Sequence, residues 1–357
     1  MKKTFPLILL IPLLLTSCGK KDESYSYKIK SDCFTIVNFT DTHIDELKDL
    51  DKNNLLVKTI ENCIAQNNPD IITLSGDICW GSKVVSLYGS FCKFMDKFKI
   101  PYYFVFGNHD REHGSAEQIE KKINNSKYGF IKKGDVNDDS FGNYVINITN
   151  NNGDPIHKVI MMDSRDYTSP KPEDFTYVAN PVTGVPYIKY VDSSDGVEKE
   201  IYGNTPFDNI RDAQIDWYKN QVSNSSVEST LIAHIPVIEY AMAIEKYVLA
   251  KASSDQDTLA ELDPIGPCHI GEPVSSSVKN HGFFEVMKEL GSTKNMICGH
   301  EHINDFSLKY EGIRLTYAVK TGSDCYWDEQ HNINGCTTIK IDATGAASIS
   351  QYYYSGN

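Results

Sequence analysis

The sequence predicts an α/β fold organised around parallel strands. Two observations predict it. Apolar, β-branched runs alternate with stretches of helical spacing from Phe34 to Phe106, and each run stops at a short block rich in Asp, His or Asn. Such alternation argues for parallel strands joined by right-handed helical crossovers.

Phe34 to Phe39 is β-branched and aromatic, as a first buried strand requires. Leu55, Leu56, Ile60, Cys63 and Ile64 then follow helical spacing until Pro69 breaks it. Ile71 to Leu74 predicts a second strand entering Gly76-Asp77. Val84, Leu87, Phe91, Met95 and Phe98 mark the next helix, and Tyr102 to Phe106 a third strand entering Gly107-Asn108. In sheets of this kind ligands gather at the carboxyl ends of the strands.

The second half is less regular. Tyr144 to Ile148 and Lys158 to Met162 predict a hairpin around Asn150-Asn151-Asn152-Gly153. Residues 164–204, rich in Pro, Gly, Asp and Tyr, predict an insertion with a small hairpin. Gln214 to Gln221 predicts a short helix leading to a fourth strand, Thr230-Leu231-Ile232-Ala233, aimed at His234. Residues 240–279 predict a second irregular insertion. Phe283 to Leu290 predicts a helix, Met296 to Cys298 a fifth strand, and Phe306 to Tyr353 alternates as strands to the end.

The N-terminus predicts a targeting segment. Lys2 and Lys3 precede an apolar stretch, Phe5 to Leu15, too short for a stable membrane span. Leu15-Thr16-Ser17-Cys18 resembles a bacterial lipobox, which implies cleavage after residue 17, lipidation of Cys18 and an anchor on the cell envelope, facing out of the cytoplasm. An ordinary secretory signal with an incidental Cys18 is the alternative. Residues 18–32 then read as a polar tether, and 33–357 as one large domain carrying the two insertions.

The whole chain has a formal net charge of −13. Loss of Lys2 and Lys3 with the signal leaves 33 basic against 48 acidic residues, or −15. Nucleic-acid affinity rests on basic neutralisation of phosphates, so a nucleic-acid partner is not expected. A small phosphate ester is compatible, because a buried metal pair overrides the surface field locally. The eight cysteines after Cys18 contain no CxxC pair, which argues against zinc-finger and thioredoxin chemistry. One or two disulfides are open to an exported chain; Cys63 and Cys298, in apolar runs, read as small buried hydrophobes.

Five blocks carry the chemistry: Asp41-Thr42-His43, Gly76-Asp77, Gly107-Asn108-His109-Asp110, Ala233-His234-Ile235 and Gly299-His300-Glu301-His302. They hold five of the ten histidines. An Asp-x-His or a Gly-Asp alone is more often a turn than a ligand. Five in order, each after a strand, point instead to a two-metal centre. Such a centre needs N and O ligands for both ions and a shared carboxylate, and it clamps attacking and leaving oxygens between cations about 3.5–4 Å apart.

These blocks resemble the calcineurin-like metallophosphoesterase superfamily over about Phe34 to Tyr317. The resemblance implies a four-layer α/β/β/α sandwich with two facing mixed sheets. It also implies a centre in which Asp41, His43, Asp77 and His302 hold one divalent metal and Asn108, His234 and His300 the other, with Asp77 bridging. His109 would steady the phosphoryl group or protonate the leaving alkoxide, with Asp110 orienting it. The blocks around His234 and His300, with Asp163-Ser164 and Gln214-Ile215-Asp216-Trp217, resemble the purple-acid-phosphatase-like branch found in plants and fungi, with bacterial relatives. Trp80 stands where classical members have the tyrosinate that stabilises ferric iron, and His43 is a histidine they lack. A divalent centre of manganese, iron(II) or zinc is therefore implied.

The implied activity is metal-dependent hydrolysis of a phosphomonoester by in-line attack of a bridging hydroxide. A phosphodiesterase acting on nucleotides or lipid head groups would use the same residues. The non-enzymatic alternatives are a surface-anchored binding protein that keeps the fold without turnover, and a structural envelope lipoprotein that holds no metal. Asn108, His109 and Arg165 are candidate phosphate contacts, Arg165 with a salt bridge as its alternative. Tyr240, Glu272, Asn304 and Asp305 are candidates for shaping the surroundings. His113, His157, His269, His281 and His331 read as surface or structural, and Gln214 and Trp217 as helix packing.

Overall fold

The computed structural model describes residues 25–30, 32–167, 207–223, 226–277, 281–323, 325 and 333–354, with the backbone of 176–179, 186–191 and 198–202. The expected signal segment, Cys18 and His331 lie outside the described residues.

The first strand is β1 (Tyr25–Lys28), followed by β2 (Cys33–Phe39), α1 (Leu55–Asn67), β3 (Ile71–Ser75), α2 (Val84–Met95), β4 (Tyr102–Val105), α3 (Ala116–Asn124) and β5 (Gly129–Phe130). Next come β6 (Tyr144–Thr149), β7 (Pro155–Met161), β8 (Thr176–Ala179), β9 (Pro186–Val191), β10 (Glu198–Tyr202), α4 (Asp212–Val222), β11 (Glu228–Ile232), α5 (Glu239–Ser253) and α6 (Gln256–Leu262). The chain continues with α7 (Phe283–Leu290), β12 (Thr293–Cys298), β13 (Ser307–Tyr310), β14 (Ile313–Tyr317), β15 (Asn334–Asp342) and β16 (Ala347–Tyr354).

The strands form a six-stranded sheet, β16-β15-β2-β3-β4-β5, a seven-stranded sheet, β1-β6-β7-β11-β12-β14-β13, and a small antiparallel sheet, β10-β9-β8. Pairing from β2 to β5 is parallel, as the early alternation requires. β6 and β7 pair antiparallel as the expected hairpin. The large sheets are both mixed, and side-chain alternation lets the seven-stranded one bury both its faces. Val159 and Met161 of β7 face the core shared with the six-stranded sheet, whereas Ile160 and Met162 face the core under α4, α5 and α7. β11 and β12 divide likewise, Ile232 and Ile297 on one side, Leu231 and Met296 on the other. With α1 packed on β2 and β15, the layers run helix, sheet, sheet, helix.

Helix ends follow local chemistry. The Asn54 side chain accepts from Leu56 N (2.8 Å) to start α1, and Asn68 closes it in the left-handed region just before Pro69.

Two expectations are corrected. Residues 25–28 are not tether, because Tyr25 and Tyr27 alternate along a strand. Tyr25 meets Tyr103 edge-on at 4.9 Å while β1 pairs with β6. Residues 240–279 are not irregular throughout: α5 and α6 occupy 239–253 and 256–262. Good helix formers fill α5, Ala241, Ala243 and Ile244 are buried, and Asp255 caps α6 by accepting from Thr258 N.

Candidate metal centre

Every candidate ligand sits just past the carboxyl end of a strand. Asp41 and His43 follow β2, Asp77 follows β3, and Asn108 and His109 follow β4. His234 follows β11, and His300 and His302 follow β12. The first three strands belong to one large sheet and the last two to the other, so the centre spans the seam between them.

The side chains gather into two groups. Ligand atoms of Asp41, His43 and His302 lie within 4.8 Å of one another, and so do those of Asp77, His234 and His300. Asp77 Oδ2 stands 3.2 Å from His234 Nε2 and 3.6 Å from His43 Nε2, within reach of both groups. Asn108 donates its amide to Tyr167 Oη (2.8 Å), which turns the buried Asn108 Oδ1 away without a partner. The Nε2 atoms of His43, His234 and His300 are likewise buried and unpartnered. Buried polar atoms are normally hydrogen-bonded, and these are the atoms through which imidazoles and amides hold metals. The donor set fits a pair of divalent cations.

The backbone is bent to present these groups. Asp41, His43, Asp77 and His300 all have positive φ, at 52°, 47°, 52° and 82°. Such backbone costs about 1–3 kcal/mol per residue and clusters at functional sites. Glycine is needed where the turns touch the ligands: a Cβ on Gly107 would overlap Asp77 Oδ1, and one on Gly299 would overlap Thr40 Oγ1.

Hydrogen bonds then aim each ligand. Asp41 accepts from Thr40 Oγ1 (2.7 Å) and His300 N (3.1 Å), and Asp77 accepts from His109 N (2.9 Å). His234 Nδ1 donates to Ser75 O (2.8 Å), which leaves Nε2 to face Asp77. Ser164 Oγ accepts from Ile235 N (2.8 Å) and His234 N (3.2 Å). Ser164 thus fixes the turn that carries His234. Gln214 donates to the carbonyl of Asp163, the residue before Ser164 (2.6 Å). Glu272 accepts from Ile303 N (3.0 Å), and Asn304 and Asp305 accept from Gly271 N and His269 N, so these residues fasten the loop after His302.

Electrostatics divides the histidines. Burial lowers the His234 pKa, but Asp77 outweighs it and holds the ring at about 10 without metal. Burial also lowers His43, which Asp41 and Asp77 bring back above its usual value. His300 has no comparable partner, so burial, then His234, pushes it down to about 3. Burial raises Asp41, yet the His302 and His43 rings that face its carboxylate hold it well below the usual carboxylate range.

Asp110 does not orient His109. Its carboxylate accepts from Gly107 N (2.7 Å), Asp77 N (2.8 Å), Ile78 N (2.9 Å) and Tyr88 Oη (2.6 Å), so it ties the β3 and β4 turns together. The partner of His109 is Glu112, whose Oε1 lies 2.9 Å from His109 Nδ1. Glu112 was not among the expected residues. Its signal is the three-residue offset from His109, legible only once the turn is known. Arg165 is also corrected. Its guanidinium is buried against Asp139 (2.7 Å) and Asp208 (3.2 Å), the salt-bridge alternative rather than a phosphate contact. His157 is structural, bonded through Nδ1 to Gly345 O and through Nε2 to Thr230 Oγ1. The eight cysteines from Cys33 to Cys336 are free thiols.

The family model for calcineurin-like phosphoesterases matches residues 34–304. The chain belongs to that family. Calcineurin-like phosphoesterases typically hold two divalent metals, as the paired groups here would allow. Among relatives, "Probable inactive purple acid phosphatase 14" of Arabidopsis thaliana is 26% identical over 283 residues, covering 75% of this chain and 62% of that protein. "Probable inactive purple acid phosphatase 29" of the same plant is 24% identical, covering 74% and 62%. The chain thus spans less than two thirds of these relatives. A crystal structure of a dimetal phosphatase from Danio rerio shares the fold, with a TM-score of 0.50 at 12% identity, covering 90% of this chain and 100% of that one.

Proposed function

We propose that this phosphoesterase-family chain is an active dinuclear hydrolase of phosphate monoesters. The observation that carries the reading is the pair of donor groups sharing Asp77, with three buried imidazole nitrogens that make no hydrogen bond, two of them turned to that carboxylate. Asp41, His43 and His302 would hold one cation and Asp77, His234, His300 and Asn108 the other. The two ions supply positive charge for the phosphoryl oxygens and lower the pKa of a water.

The chain's own groups do the rest. Asp41 and Asp77 are anchored by backbone and hydroxyl donors, so the centre is preorganised before substrate arrives. With Nδ1 donating to Glu112, His109 keeps Nε2 on the pocket side, 4.0 Å from Asp77 Oδ2. That places a proton donor beside the centre, where the leaving alkoxide needs one. Asn108 and His109 remain the proposed phosphoryl contacts.

Export and lipid anchoring through Cys18 belong to the same proposal and rest on the lipobox-like Leu15 to Cys18. Labelling with a fatty-acid analogue, lost in Cys18→Ser, would support them.

The names of the plant relatives favour one competing reading, binding without turnover. Purified chain loaded in turn with manganese, iron(II) and zinc, then assayed on generic mono- and diesters, separates the two. Monoester hydrolysis lost in Asp77→Asn upholds the proposal. Two bound metals with no hydrolysis of either ester overturn it.

A further inference from the structure

Two of the most exposed large aromatic residues flank the same small histidine. Trp80 is 42% exposed and Tyr167 40% exposed, and their rings lie 5.3 Å and 6.5 Å from the His109 ring. Both are fixed in place: Trp80 Nε1 and Tyr167 Oη donate to the two oxygens of Glu112 (3.2 and 3.1 Å). Tyr167 stacks on Phe207 at 5.5 Å and 28°, across an isolated antiparallel bridge. Phe207 in turn meets His300 edge-on at 4.5 Å. The rings of Trp80, Tyr167 and Phe207 thus arc past His109 and end on a metal-ligand candidate.

Tyr167 and Phe207 of this arc line a cavity of about 170 Å³ together with Asp77, Asn108, His109 and His300, among others, and Trp80 stands at its edge against the His109 ring. No described lining residue is Lys or Arg. The nearby Arg111 and Arg165 are spent on carboxylates, Arg111 on Asp163 and Asp166, Arg165 on Asp139 and Asp208. Glu112 stands beside the cavity, bonded to Tyr167, so a second anionic group on a substrate meets a carboxylate there rather than a cation. Rigid, half-exposed aromatic faces are what a planar ring stacks on.

We propose that Trp80, Tyr167 and Phe207 form a stacking wall that selects phosphate monoesters whose leaving group carries a planar aromatic or heteroaromatic ring, such as a nucleoside monophosphate. The inference rests on the phosphoester reading of the centre and deepens it. His109 protonates the departing oxygen, so the leaving group lies on the side where these rings stand. One phosphoryl group sits on the metals, and the ring beyond the scissile oxygen takes the wall. Esters with further phosphates gain nothing there.

Adenosine 5′-monophosphate and ribose 5-phosphate test this, because both release a primary ribose alkoxide and differ by the base. The metal-loaded protein is expected to show a kcat/KM ratio of about 10 or more in favour of the nucleotide, the size expected of one base stacked on an aromatic platform. Trp80→Ala and Phe207→Leu, checked for unchanged metal content and melting temperature, are expected to bring that ratio toward 1. A ratio near 1 in the wild type, or one unaltered in both variants, overturns the wall while leaving phosphoesterase activity intact. Should neither ester turn over, tryptophan fluorescence reads binding instead. Quenching by the nucleotide at least tenfold tighter than by ribose 5-phosphate keeps the wall and removes turnover, and equal affinities remove the wall as well.

Discussion

Glu112 Oε1 lies 2.9 Å from His109 Nδ1 and holds the ring with Nε2 turned to the metal pocket. Trp80 and Tyr167 donate to the same carboxylate, so one anchor positions the ring and both aromatic residues beside it. The pair is partly solvent-exposed, so its worth lies in orientation rather than in stability.

Glu112→Gln is therefore expected to lower kcat about 10–100-fold, with KM and metal content nearly unchanged. Steady-state kinetics with metal analysis checks it. A fall in metal content instead would mean that Glu112 supports the ligands.

Asp110 should behave oppositely. Its buried carboxylate satisfies backbone N–H groups of both the β3 and β4 turns. Asp110→Ala strands those donors and is expected to cost about 4 kcal/mol, given about 1.5–3 kcal/mol for a hydrogen bond to a charged group. Denaturant melts of the metal-free protein measure this.

Metal uptake should release protons. Asp77 holds His234 at about 10, against the effect of burial, so its ring is protonated at neutral pH without metal. A cation must displace that proton, and affinity is expected to rise with pH below about 10. Titration calorimetry in buffers of different ionisation enthalpy checks the sign. Proton uptake on binding would contradict it.

His157 sets an acid limit on stability. Burial lowers its pKa from 6.5 to about 4. The unfolded chain therefore binds the extra proton between these values, and stability present above pH 6.5 is lost as pH falls toward 4. The loss is about 3 kcal/mol from this residue. His157→Gln, an uncharged replacement, is expected to flatten that limb in melts of the metal-free protein.

Gly107→Ala places a methyl group against the Asp77 carboxylate. Metal content should fall while circular dichroism stays close to wild type. Elemental analysis reads the loss, and full metal occupancy would show that the turn yields.

Much of this molecule was legible in its residues. The parallel strands from Phe34 to Phe106 followed from alternating apolar runs, because period and length are local properties. The donors Asp41, His43, Asp77, Asn108, His234, His300 and His302 stood out because each closes a strand. Helices α5 and α6 were not legible as such, since apolar residues ring α5 instead of forming one stripe and α6 is only seven residues long.

The amino-acid order alone determined which side chains can donate and that all of them lie at strand ends. Only the packing of two sheets decided their partners, setting His302 beside Asp41 and His234 beside Asp77 across a seam that no local pattern records. The same holds for Asp110 and Arg165. A side chain's direction depends on the turn that bears it, and the left-handed backbone of Arg165 goes with a side chain held among Asp139 and Asp208. Spacing states which groups are near in the chain; the folded backbone determines which of them face each other.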